Sequence, residues 1–295
     1  MKISQVFLRL SFLLLLPICA VSHAQHALPF IEAEGAEQLL VDNEENIILL
    51  YPEEAILKKY LAPSYDSVLV YGGASQLQDG MVHPIKVVLF SRQDIYILDE
   101  AVQQFILLNK DFSEVGRISL QDEAFTSYSE NLSDGFQAID FTIGPGGAVY
   151  LLNQLDAQIY KFNSFTGIEW VFGGVNYGEG SLEEPTTIGR DDQIIYVYDQ
   201  NLSAIKLYDL YGNYLSKHAL LEHKAWEEVA RINEAWLWWG KEGIWVETER
   251  FGKTAILQVN TSLRDIRDIY LFKNKLYVIS KNQVHLQDIS ASKEE

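Results

Sequence analysis

The sequence predicts an all-β fold: a six-bladed β-propeller whose ring is closed by an N-terminal strand that completes the last blade. Three observations carry this expectation. A strand, turn, strand unit recurs along the chain. The units recur at roughly 40–50 residues, the length of a four-stranded propeller blade. Almost nothing in the chain has helical period.

The unit is clearest in three stretches that align without a gap. They are IYILDEAVQQFILLN from Ile95 to Asn109, VYLLNQLDAQIYKFN from Val149 to Asn163, and IYVYDQNLSAIKLYD from Ile195 to Asp209. Each opens with an apolar residue and Tyr, has Asp or Asn in fifth place and Glu or Gln in sixth, and closes on Asn or Asp. The opening residues are β-branched or aromatic, which suits a strand. The fifth-place Asp or Asn suits a turn, because a short polar side chain bonds nearby backbone. Fainter copies run from Ile47 to Tyr60 and from Leu276 to Asp288. A looser one spans Ala235 to Val259. The marks Ile47, Ile95, Val149, Ile195, Trp236 and Leu276 therefore define six units. Pro52–Tyr60 and His223–Ala230 are the two segments with room for a short helix.

A second repeat joins the units. VYGGASQLQDGMVHP (Val70 to Pro84) and VFGGVNYGEGSLEEP (Val171 to Pro185) share an aromatic residue, two glycines and a proline at equal spacing. Glycine frees the backbone to leave one strand and proline fixes the start of another, so these read as joints between blades. The last unit runs out after its third strand, near Asp288, and Leu28-Pro-Phe-Ile31 precedes the first. That segment is expected to supply the missing outer strand, since a ring that closes hides its edges. A two-domain mixed fold is the main rival, but it needs helices the sequence does not show. A β-helix has shorter turns.

The repeat resembles that of the NHL-type six-bladed β-propellers: Phe172-Gly-Gly, Pro185, Ile195-Tyr-Val-Tyr-Asp199, Ile205-Lys-Leu-Tyr-Asp209, then Gly212-Asn-Tyr. The likeness is good across 135–215, fair across 71–120 and poor across 223–262. It implies the architecture. It does not imply one activity, because the family holds interaction modules, related folds include sugar-lactone-type hydrolases, and a fold does not transfer a function.

Residues 1–24 read as a signal peptide. Lys2 and Arg9 flank an apolar run that ends in Val21-Ser-His-Ala24, a charged start, a greasy core and small residues before the cut. The apolar run falls short of the ~20 residues of a spanning helix. Cys19 lacks the small residues expected before a lipoprotein cysteine. The expectation is one propeller domain over 25–295, monomeric, secreted or periplasmic, with no transmembrane segment in the mature chain. Cys19 is the one cysteine, so the mature domain has no disulfide, thiolate site or cysteine nucleophile. The net charge of −18 becomes two units lower once Lys2 and Arg9 are gone. This charge argues against nucleic acid as a partner, because phosphate binding rests on Lys and Arg.

No catalytic motif, metal loop or cofactor site stands out. Glu183-Glu184 and Asp191-Asp192 are adjacent pairs that a strand would point to opposite faces. Gly144-Pro-Gly-Gly147 has no helix after it to aim at phosphate. Two constellations remain. Counting nine residues back from each mark gives a polar ring, Gln38, Lys86, Asp140, Thr186, Glu227 and Arg267. Of these, Lys86, Asp140, Glu227 and Arg267 are the channel-lining ligand candidates. Trp236, Trp238 and Trp239 are candidates for an aromatic platform, with core packing as the plainer reading. The expected function is a non-catalytic binding or scaffold module for a protein, peptide or glycan. The alternative is a sugar-lactonase-like hydrolase or lyase working in the central channel.

Overall fold

The computed structural model describes residues 26–73, 80–91, 94–122, 136–163, 167–219, 228–232, 235–250, 253–258 and 263–288. They form six four-stranded antiparallel sheets. The first blade is β2 (Gln38–Val41), β3 (Ile47–Tyr51), β4 (Ile56–Tyr60) and β5 (Val68–Gly72). The second is β6 (Pro84–Phe90), β7 (Asp94–Asp99), β8 (Gln104–Leu108) and β9 (Glu114–Ser119). The third is β10 (Ala138–Ile143), β11 (Val149–Asn153), β12 (Gln158–Phe162) and β13 (Ile168–Gly173). The fourth is β14 (Pro185–Asp191), β15 (Ile194–Asp199), β16 (Ala204–Asp209) and β17 (Tyr214–Ala219). The fifth is β18 (Glu228–Ile232), β19 (Ala235–Gly240), β20 (Gly243–Arg250) and β21 (Lys253–Gln258).

The sixth blade contains β22 (Ile266–Phe272), β23 (Lys275–Ser280) and β24 (Gln283–Asp288), and its fourth strand is β1 (His26–Glu32). β1 runs antiparallel to β24, pairing His26 with Leu286, Ala27 with His285 and Glu32 with Gln283. The predicted closing segment, Leu28 to Ile31, lies within this strand, in the irregular stretch between the paired Ala27 and Glu32. The first strand of each blade lies innermost. β2 contacts β6, β6 contacts β10, β10 contacts β14 and β14 contacts β18, while β22 contacts β2 and β19.

Each strong repeat unit forms the second and third strands of a blade. Its polar places have distinct tasks. The fifth-place Asp99, Asn153 and Asp199 are fully buried, and they fasten the segment that leads into the inner strand of their own blade. Asp99 accepts the N–H groups of Val82 (2.7 Å) and His83 (3.0 Å). Asn153 accepts that of Gln137, and Asp199 that of Glu183, as well as that of Leu202 in its own following turn. The sixth-place backbone N–H completes the tie, as in Glu100 to the His83 carbonyl. The closing residue bonds its own turn as well: Asn109 accepts from Asp111 and Ser113, and Asp209 from Tyr211 and Asn213.

The glycine joints behave as their spacing predicts. Gly72, Gly73, Gly173 and Gly174 all have positive φ, where a side chain is strained. Pro84 and Pro185 open the next inner strands, a position that needs no ladder N–H. Neither possible helix is present where the residues are described. Pro52 to Ala55 is a turn, Ile56–Tyr60 is β4, and Glu228–Ile232 is β18. Residues 223–227 lie outside the described residues. The core lies between blades, where the two inner faces of adjoining sheets meet, for instance Leu98, Phe105, Phe141, Leu151 and Tyr160 between the second and third.

Candidate functional site

The inner strands carry a shared irregularity. Their pairing skips Ile85, Ile139, Thr186 and Arg267, a β-bulge that bends the strand and re-aims the next residue. The residues that follow the bulge are Lys86, Asp140, Thr187 and Asp268. Gln38 and Glu228 occupy the same level in the other two blades, opposite Leu50 and Trp239. The polar ring is therefore Gln38, Lys86, Asp140, Thr187, Glu228 and Asp268.

The sequence count finds the first three members and lands one residue early on the rest. The cause is hairpin length. Val41 pairs with Ile47, Phe90 with Asp94 and Ile143 with Val149, whereas Asp191 pairs with Ile194, Ile232 with Ala235 and Phe272 with Lys275. The last three blades use two-residue hairpins, so the ring moves one place toward the turn. Thr186 and Arg267 are bulge residues, and Glu227 lies outside the described residues. Short turns at Asp192-Gln193 and Lys273-Asn274 were the available signal for Thr187 and Asp268.

Most of the ring reaches forward to the next blade. The Gln38 side-chain amide donates to the Val87 carbonyl (2.9 Å) and accepts from the Val87 N–H (2.6 Å). Lys86 Nζ is 3.1 Å from Asp140 Oδ1. Asp140 accepts the N–H of Ile188 at 2.9 Å and of Phe141 at 2.8 Å. Asp268 accepts the N–H of Leu39 at 2.7 Å and of Ile269 at 2.8 Å. Buried carboxylates persist when their lone pairs are taken up in this way.

A cavity of about 330 Å³ lies on the ring axis, and all six inner strands contribute to its wall. Lys86, Glu228, Arg267 and Asp268 line it, with Tyr196 and Trp239 set in the wall. The Lys86 side chain is 27% exposed and that of Asp140 only 6%. Arg267 is exposed and donates to the Ala36 carbonyl at 3.1 Å. Tyr196 reaches the cavity because Gly189 has no side chain: a Cβ there would lie 2.1 Å from the ring.

The electrostatics follow from burial. Burial alone would lower the pKa of Lys86, but Asp140, Glu228 and Asp268 outweigh it and raise the value. Asp140 is raised by burial, with Lys86 and two backbone N–H groups opposing. Asp268 is pushed up to about 7, by burial first and by Glu228, against the Leu39 and Ile269 N–H groups and Lys86. Burial also pushes the Tyr196 phenol up to about 12. Among the described residues, no three His, Cys, Asp or Glu side chains are grouped closely enough to hold a metal ion. His218 is remote from the ring sequence positions and pairs with Glu247 at 3.0 Å, linking β17 to β20.

The three tryptophans of the platform are packed between blades. Trp236, Trp238 and Trp239 are 6%, 1% and 5% exposed. Trp236 and Trp238 pack with Tyr196, Ile205, Val229 and Trp245. Trp236 meets Tyr196 edge-on at 5.4 Å and stacks on His218 at 5.5 Å. Trp239 packs on the opposite side with Ile269 and Leu276 and donates to the Arg267 carbonyl at 3.2 Å. Side chains on both faces of β19 are packed against neighbours, and Trp239 also reaches the cavity wall.

No family model matches the chain, and no curated protein matches it. Solved structures do. A streptogramin B lyase is similar at 12% identity and a TM-score of 0.59, over 89% of this chain and 96% of the other. A virginiamycin B lyase from Staphylococcus aureus is similar at 12% identity and 0.57, over 90% and 87%. At such identity the likeness speaks for the fold, and the chain is a six-bladed β-propeller.

Proposed function

We propose that this chain is an exported, non-catalytic binding module of NHL type, with its ligand site in the central channel. Residues 1–24 would be removed, and residues 25–295 would act outside the cytoplasm. The ligand is a small molecule, or a group presented by a protein, peptide or glycan at the channel mouth. One observation carries this reading: the channel is a polar well in which Asp268, and Asp140 behind Lys86, are already held by backbone N–H groups of adjoining blades. Such groups are pre-organised to bind and are not free to migrate, which lowers the cost of ordering a ligand. The cavity is within the usual range for small-ligand sites. The test is equilibrium binding with a small-molecule panel, followed by NMR of the recovered compounds. Saturable binding with the compound unchanged supports a binding module, and chemical turnover contradicts it.

A second reading, an acid–base hydrolase or lyase in the same channel, is favoured by Asp268. A carboxyl pushed up to about 7 is matched to proton transfer near neutrality. It is separated from the first by a pH–rate profile that breaks near that value and loses the break in Asp268→Asn.

A further inference from the structure

The charges around the cavity also define what it should hold. We infer that the channel takes a small zwitterion, an α-amino acid or a short peptide with both ends free. This rests on the channel being the binding site.

Both signs of charge line one small space. Lys86 and Arg267 stand among Glu37, Glu228 and Asp268, with Asp140 behind Lys86. An ammonium has three donors, and among the described residues Lys86 forms one ion pair, at 3.1 Å to Asp140. Its remaining donors suit a carboxylate. That carboxylate alone would face Glu228 and Asp268 in the same wall, with Asp140 behind Lys86. A lone cation would have Lys86 and Arg267 against it. A molecule with no net charge but separated ends meets both signs, so neither set of protein charges is desolvated without a partner.

A neutral sugar fits less well. It would leave these charges uncompensated, and it is commonly held by stacking on an open aromatic face. Tyr196 and Trp239 are 6% and 5% exposed, so neither offers one. Size points the same way: about 330 Å³ is at the small end of ligand sites.

The experiment is a thermal-shift and calorimetric panel on the mature chain. The probes are mixed L-amino acids, alanine di- and tripeptides, their N-acetyl and methyl ester forms, glucose, inorganic phosphate and calcium chloride. Zwitterions are expected to bind, and blocking either end should weaken binding about tenfold or more, the worth of one charged hydrogen bond. Lys86→Met and Glu228→Gln should each weaken it similarly, with circular dichroism reporting that both variants fold. Two substitutions on different blades keep the test valid if one fails to fold. Lys86-dependent binding of glucose, phosphate or calcium in place of zwitterions would overturn the ligand class and leave the channel site standing. Zwitterion binding that ignores both substitutions would overturn the site as well. A panel with no binder overturns the inference.

Discussion

The Asp268 carboxylate in the sixth blade accepts the backbone N–H of Leu39 in the first blade at 2.7 Å. This contact crosses the seam where the ring begins and ends. The same reach joins Asp140 to Ile188 and Gln38 to Val87. The polar channel is thus part of what holds the blades together, and its chemistry is tied to stability.

Stability should fall with rising pH through Asp268. Its folded pKa of about 7 lies above the ~3.9 of a solvated Asp, so the folded state binds the proton more tightly. The contribution is full below about 4 and is lost as pH rises through about 7. Urea midpoints from pH 4 to 8 should drop more steeply for wild type than for Asp268→Asn. Parallel curves would contradict this.

The glycine joints should resist substitution. Gly72→Ala places a Cβ 2.3 Å from the Ala55 carbonyl oxygen, and Gly173→Ala places one 2.9 Å from Leu182, both at positive φ. Left-handed backbone alone costs an alanine about 1–2 kcal/mol, so each variant should lose at least that by chemical denaturation. Gly116, with nothing within 4 Å, is the control, expected to stay within about 0.5 kcal/mol.

Gly189 and Tyr196 should be coupled. Gly189→Ala drives a Cβ into the Tyr196 ring and should cost about 1–3 kcal/mol, as overpacking does. Combining it with Tyr196→Ala removes the clash. The double variant should therefore lose less than the sum of the two single losses, and strict additivity would refute the contact.

Trp238 should matter to the fold and not to the ligand. Trp238→Ala empties a side chain buried between the fourth and fifth blades and should cost about 3–5 kcal/mol. Affinity per folded molecule should be unchanged. A large loss of affinity at full folding would support the aromatic platform.

The blades were legible because β-branched and aromatic runs and a fifth-place Asp or Asn repeat with them. Register was not fully legible. The ring position depends on hairpin length, and Thr187 and Asp268 emerge only once two-residue turns are counted. The task of Asp99 was hidden too: its residue type suits a local turn, yet its partners are Val82 and His83. The run from Trp236 to Trp239 reads alike in a core strand and a platform. In the structure Tyr196 and Val229 pack on one side of that run and Ile269 on the other.

Hydrogen–deuterium exchange of the mature chain, with and without a saturating amino-acid mixture, tests the channel most directly. Added protection should concentrate in the inner strands, Pro84–Phe90, Ala138–Ile143, Glu228–Ile232 and Ile266–Phe272. Protection confined to outer strands such as Val68–Gly72 or Tyr214–Ala219 would place the ligand on the rim and contradict the channel site.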